Sequence, residues 1–84
     1  MKYRIEIAEL ADHYVVAAKD KETGDPVEVF TLNESGVEML KLFSEGLDAS
    51  AVARSISERY DVPISLVLPD VLAFAEELKQ KGMM

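Results

Sequence analysis

Polar and apolar residues alternate with a period of two at the start of the chain and fall into a helical period over its remainder. Tyr3, Ile5 and Ile7 alternate with Arg4 and Glu6. That pattern predicts a half-buried strand, because successive side chains of an extended chain leave opposite faces. Leu10-Ala11-Asp12-His13 reads as a short connection, and Tyr14 to Ala18 as a second strand with Tyr14, Val16 and Ala18 on one face. Lys19 to Pro26 is polar, contains Gly24-Asp25-Pro26, and reads as a longer hairpin loop. Val27 to Leu32 makes the third strand, with Phe30 and Leu32 on one face and Val27, Val29 and Thr31 on the other. Three strands joined by short loops predict an antiparallel meander.

The segment Leu32-Asn33-Glu34-Ser35-Gly36 hands the sheet over to helices. Asn33 reads as an N-cap, its side-chain oxygen taking a free backbone N–H of the first turn. A first helix is predicted from Glu34 to about Glu45, with Met39, Leu40 and Phe43 inward and Gly46 as its stop. Asp48 caps a second, whose Ala49, Val52, Ala53, Ile56 and Tyr60 make an apolar stripe before Asp61-Val62-Pro63 breaks it. The third covers roughly Ser65 to Lys81, and Gly82-Met83 suits a C-terminal cap with an apolar contact. Pro69 lacks an N–H and is easiest to accept in a first turn, so a start near Leu68 is the alternative.

In that third helix Val67, Val71, Phe74 and Leu78 cluster within about 60° of one another at 100° per residue, which makes them core. Leu68, Leu72 and Ala75 form a second stripe that widens the apolar arc to roughly 160°, more than the ~100° a surface helix needs. The second stripe either packs on another element or lines a groove.

Composition narrows the function. The 84 residues are read as one domain, 1–84, with a β-meander over 1–32 and a three-helix part over 33–84. A chain of this length buries only about 60–65% of its unfolded surface and has little core to spare for a deep, closed active site. The absence of Cys excludes disulfides, thiolate metal sites and cysteine nucleophiles. Sixteen acids against nine bases give a formal charge of −7, which repels a phosphate backbone. The second helix offers only Arg54 and Arg59, so a nucleic-acid partner is not expected. The same charge suits a basic or apolar peptide partner, or solubility alone. No secretory or membrane-spanning pattern is present, and a cytoplasmic setting with no membrane partner is the expectation. His13 is the sole His, and no Ser has a base partner in the pattern, so neither catalysis, nor a metal, nor a cofactor is expected.

From Phe30 onward the chain resembles the PqqD-like family, named for a small protein of pyrroloquinoline quinone biosynthesis. The matching features are Leu32-Asn33-x-Ser35-Gly36, Gly46 with a polar cap at Asp48, and Glu58-Arg59-Tyr60-Asp61-Val62. Asp70-Val71-x-x-Phe74 and Leu78-x-x-x-Gly82-Met83 complete the series. Asp48 stands where the family more often carries Ser or Thr, an exchange of one good N-cap for another. The resemblance implies an α+β, winged-helix-like module, a three-stranded antiparallel sheet followed by three helices. It also implies a role as a non-catalytic recognition element for ribosomally made, post-translationally modified peptides. Such a module holds the leader segment of a precursor peptide and presents it to a modifying enzyme, commonly a radical S-adenosylmethionine enzyme. The leader adds as a strand to the third strand and lies against the third helix.

If the strands lie in sequence order, the third is an open edge with unpaired N–H and C=O groups. The expected binding residues are the main chain of Val27, Glu28, Val29, Phe30 and Thr31, with Leu68, Leu72 and Ala75 as the apolar wall. Glu28 or Asp70 is the candidate for reading a basic leader residue. An open edge also pairs with a copy of itself. The alternative is therefore a general protein-interaction or homodimerisation module with no leader ligand.

Overall fold

The alternating segments pair as an antiparallel meander of β1 (Tyr3–Leu10), β2 (His13–Asp20) and β3 (Pro26–Leu32), with β2 in the middle. The computed structural model describes residues 3–84. Helices α1 (Glu34–Ser44), α2 (Ala49–Tyr60) and α3 (Ile64–Gln80) follow the sheet, which is the expected α+β order and is consistent with a winged-helix-like arrangement.

Register sorts the side chains by face. Ile7, Val16 and Phe30 line up across the sheet, as do Ile5, Ala18 and Glu28, and these rows face the helices. Val16 and Ala18 on the central strand are wholly buried. The rows Glu6–Ala17–Val29 and Ala8–Val15–Thr31 occupy the opposite face. There Lys19 Nζ lies 2.6 Å from Glu6 Oε2, and Arg4 approaches the same carboxylate at 3.7 Å.

Both hairpin turns are tighter than the sequence pattern predicts. β1 runs on to Leu10 and β2 begins at His13, so only Ala11 and Asp12 turn the chain. Ala11 does this at φ 48°, the left-handed region that ordinarily favours glycine. In the second hairpin the Asp20 carboxylate accepts from the N–H groups of Glu22 and Thr23. That Asx-type turn draws Lys19 and Asp20 into β2 and shortens the loop.

The predicted caps form. Asn33 Oδ1 accepts from Gly36 N at 2.9 Å and Asp48 Oδ1 from Ala51 N at 2.8 Å. Gly46 and Gly82 both take positive φ and close α1 and α3 with Schellman turns. In the second of these Met83 N donates to Leu78 O at 2.9 Å, and the Met83 side chain is fully buried. α3 starts within one residue of the expected Ser65, but the place of Pro69 departs from expectation. The helix begins at Ile64, just after Pro63, and Pro69 lies inside it rather than in its first turn. Pro69 sits nearly opposite the core stripe at 100° per residue, so its ring and the Ser65 carbonyl it leaves without an N–H face water.

The core joins both layers. Leu40 of α1, Val52 of α2, Val71 and Leu78 of α3, Val16 of β2 and Met83 are its most deeply buried side chains. α3 packs on α2, while α1 connects α2 to β2 and β3. α1 thus stands between α2 and the sheet and leaves a gap beside β3.

Candidate functional site

Strand order makes β3 an edge: no strand among the described residues pairs with its outer side. Alternate residues of such a strand turn their N–H and C=O groups away from the sheet, where a further strand can take them. Val27 and Val29 are 48% and 59% exposed on the outer sheet face, whereas Phe30 and Leu32 turn toward the helices.

An open cleft of about 540 Å³ runs between the end of β3, the start of α1 and one face of α3. Leu32, Asn33, Gly36 and Met39 line one side; Asp70, Ala73, Phe74 and Glu77 line the other. The strand-to-helix corner is tight. A Cβ on Gly36 would lie 3.2 Å from both Asn33 Oδ1 and Leu32 Cδ2, so glycine lets the cap and the strand end close against the first turn. Toward the start of β3, Lys81 Nζ stands 3.7 Å from Glu28 Oε1 and 5.1 Å from the Phe30 ring centroid. That ion pair and cation–π contact tie the end of α3 to the strand.

Beyond the end of β3 lies a second hollow of about 280 Å³, under Tyr60, Val62 and Leu66 at the α2–α3 corner. The two hollows share Ser35, Met39 and Asp70. The Asp70 and Glu77 carboxylates have no hydrogen-bond or ion-pair partner among the described residues. Three acids are paired with Lys or Arg near the sheet and α1: Glu38 with Arg59 at 2.8 Å, Glu28 with Lys81, and Glu6 with Lys19. The Tyr14 phenol is pushed above its ordinary range, first by the charge of Glu9, then by burial and by Glu34, Tyr60 and Glu38. The sheet end near α1 is therefore an electronegative environment.

The expected site residues separate into two groups. Val27, Glu28, Val29, Phe30 and Thr31 all lie on the edge strand, and Asp70 lines the cleft. Leu68, Leu72 and Ala75, the expected apolar wall, lie on a different flank of α3 from the cleft. Ala75 is buried, Leu68 is half-buried against the core, Leu72 is exposed, and none of the three lines the cleft. Angular position explains this: on α3 the core stripe is central, with Leu68/Leu72/Ala75 about 100° to one side and Asp70/Ala73/Glu77 about 100° to the other. Apolarity points to the first flank, but the chain folds the half-polar flank toward β3. Its signal was present as Leu66, Asp70, Ala73, Glu77 and Lys81, spaced four, three, four and four.

Residues 20–84 match the family described as Coenzyme PQQ synthesis protein D (PqqD). The chain belongs to the PqqD family. The matched span includes β3 and all three helices, hence both sides of the cleft. Among solved structures the chain is similar to TbiB1 in complex with the TbiA(beta) leader peptide, at 25% sequence identity and a TM-score of 0.68. That likeness covers 99% of this chain and 93% of the other, so it includes β1 and β2, which lie outside the family match apart from Asp20. No curated protein sequence matches the chain significantly. Among the described residues, no helix is long and apolar enough to cross a membrane.

Proposed function

We propose that the chain is a recognition element for the leader segment of a ribosomally made precursor peptide, bound by strand addition at β3 and presented to a modifying enzyme. The observation that carries this reading is the coincidence of a free strand edge with an open cleft directly beside it. Edge addition supplies affinity through main-chain bonds, and the cleft supplies side-chain selection. Membership of the PqqD family and likeness to a leader-bound TbiB1 support the same reading. The bound segment pairs with the main chain of Val27 to Thr31 and faces Asp70 across the cleft. The enzyme served is of the radical S-adenosylmethionine type, which the family resemblance implies.

The module performs no chemistry in this role. A second reading, self-pairing through two β3 edges, is favoured by the exposed, uncharged Val27 and Val29.

Affinity capture from native lysate, with mass spectrometry of the retained material, tests the proposal. The expected result is a short ribosomal peptide, accompanied by an iron–sulfur enzyme where that complex survives. Folded proteins alone would replace leader presentation with a general interaction module. A sedimenting dimer that added peptide does not disturb would favour self-pairing.

A further inference from the structure

The groove beside β3 continues where the strand stops. Leu66, Asp70, Ala73 and Glu77 form one stripe of α3 that Lys81 continues past its end, and the two hollows along it share Ser35, Met39 and Asp70 as lining. We propose that the peptide bound at β3 continues past Asp70 and seats one bulky apolar side chain in the corner hollow, with a basic side chain held between Asp70 and Glu77. This rests on the peptide-recognition reading and adds to it the side-chain chemistry and length of the ligand.

Three observations carry the assignment. First, the corner exposes apolar surface with no cover among the described residues: Leu66, at 67%, is the most exposed large hydrophobic side chain, and Tyr60 and Val62 lie beside it at 40% and 37%. At about 280 Å³ the hollow falls below the ~300–1,000 Å³ of small-molecule sites and suits a side chain better than a cofactor. Secondly, Asp70 and Glu77 are carboxylates with no partner among the described residues, on a groove floored by Phe74, Met39 and Leu32, complementary to a cation carried on an apolar strand. Lys81 at the far end is already engaged by Glu28 and Phe30, so the free charge of the groove is negative.

Thirdly, the dimensions agree. From Leu66 to Lys81 the helix rises roughly 22 Å at 1.5 Å per residue. An extended peptide covers that distance with about seven residues at 3.3 Å each. The step from Ala73, which lies between the two carboxylates, to Leu66 is about 10 Å, some three strand residues. Only even spacings keep two side chains on one face of a strand, so the basic and apolar residues stand two or four apart.

The test is selection of an mRNA-displayed library of random 14-residue peptides on the immobilised wild-type chain and on the surface variants Leu66→Ser and Asp70→Lys. Circular dichroism verifies that both variants are folded. The expected wild-type profile is Lys or Arg with Leu, Ile, Phe, Tyr or Trp two or four positions away. Leu66→Ser loses the apolar preference and Asp70→Lys the basic one, and each weakens the leading wild-type peptide about tenfold. Peptides enriched on wild type without that pair, or unaffected by both variants, would overturn this inference and leave strand addition standing. No enrichment on any of the three chains would overturn the peptide reading and this inference with it.

Discussion

The sheet has two outer strands, and they are finished differently. β1 alternates half-buried apolar residues with Arg4 and Glu6, which join Lys19 in an ion-paired cluster on the outer face. Charges of this kind blunt an edge against pairing. Its inner side is closed by the end of the chain, where Gly82 comes against Tyr3 and Met83 fills the core. β3 has neither protection. Its outward side chains are Val27, Val29 and Thr31, and its inner Phe30 and Leu32 pack on the core only in part, with Leu32 also lining the cleft. One helix produces both results, because α3 ends in a turn that seals β1 while its Asp70–Glu77 flank stands off from β3. A sheet with one guarded and one bare edge can take a strand on one side only, which gives a binding module direction without any pocket chemistry.

The largest effect that would sharpen this contrast comes from the sealed side. Met83→Ala should cost about 2–5 kcal/mol of stability, read as a shift in denaturant midpoint, because it empties a wholly buried site. Peptide affinity of the fraction that remains folded should be unchanged. Next is an N-methyl scan of the captured peptide. Alternate positions should each lose roughly tenfold or more in affinity, as one main-chain bond worth about 1 kcal/mol goes and the added methyl crowds the edge. A flat scan would break the contrast, since β3 would then not be pairing.

Ala11→Gly, in the turn that ends β1, should stabilise the chain by about 0.5–1 kcal/mol in thermal melts, by relieving the left-handed φ without touching β3. The smallest effect is on the guarding charges. The Lys19 hydrogen bond and charge, helped by Arg4, hold the Glu6 carboxyl below the ordinary value of 4.5. Such a group adds stability above its unfolded value that is lost as pH falls through the lower folded one. The melting temperature of Glu6→Gln should therefore fall less steeply than wild type below pH 4.5.

Most of the fold was legible because caps and periods are local. Asn33, Asp48, Gly46 and Gly82 mark helix ends by their own chemistry, and the strand faces follow from alternation. The place of Pro69 inside α3 was not, because a proline inside a helix is tolerated when its ring and the freed carbonyl face water, and exposure is a property of the assembled fold. The edge strand of the candidate site was legible from the meander order. The flank of α3 that turns toward β3 was not: two flanks border the core stripe, and apolarity favoured Leu68, Leu72 and Ala75. Which flank meets β3 depends on how the helix is rotated, and the packing of Val67, Val71, Phe74 and Leu78 decides that.

The cleft is open along its length, and in the proposed role that sets how long a passenger stays. A ligand laid on an edge and into shallow hollows leaves without waiting for a lid. At an affinity of about 1 μM and an association rate near 10⁶ M⁻¹s⁻¹, its residence is about one second. Enzymes commonly turn over at about 1–1,000 s⁻¹, so a modifying partner has time to act before the peptide departs. The shallowness of the site then becomes a timer, long enough for delivery and short enough that the carrier empties for the next peptide.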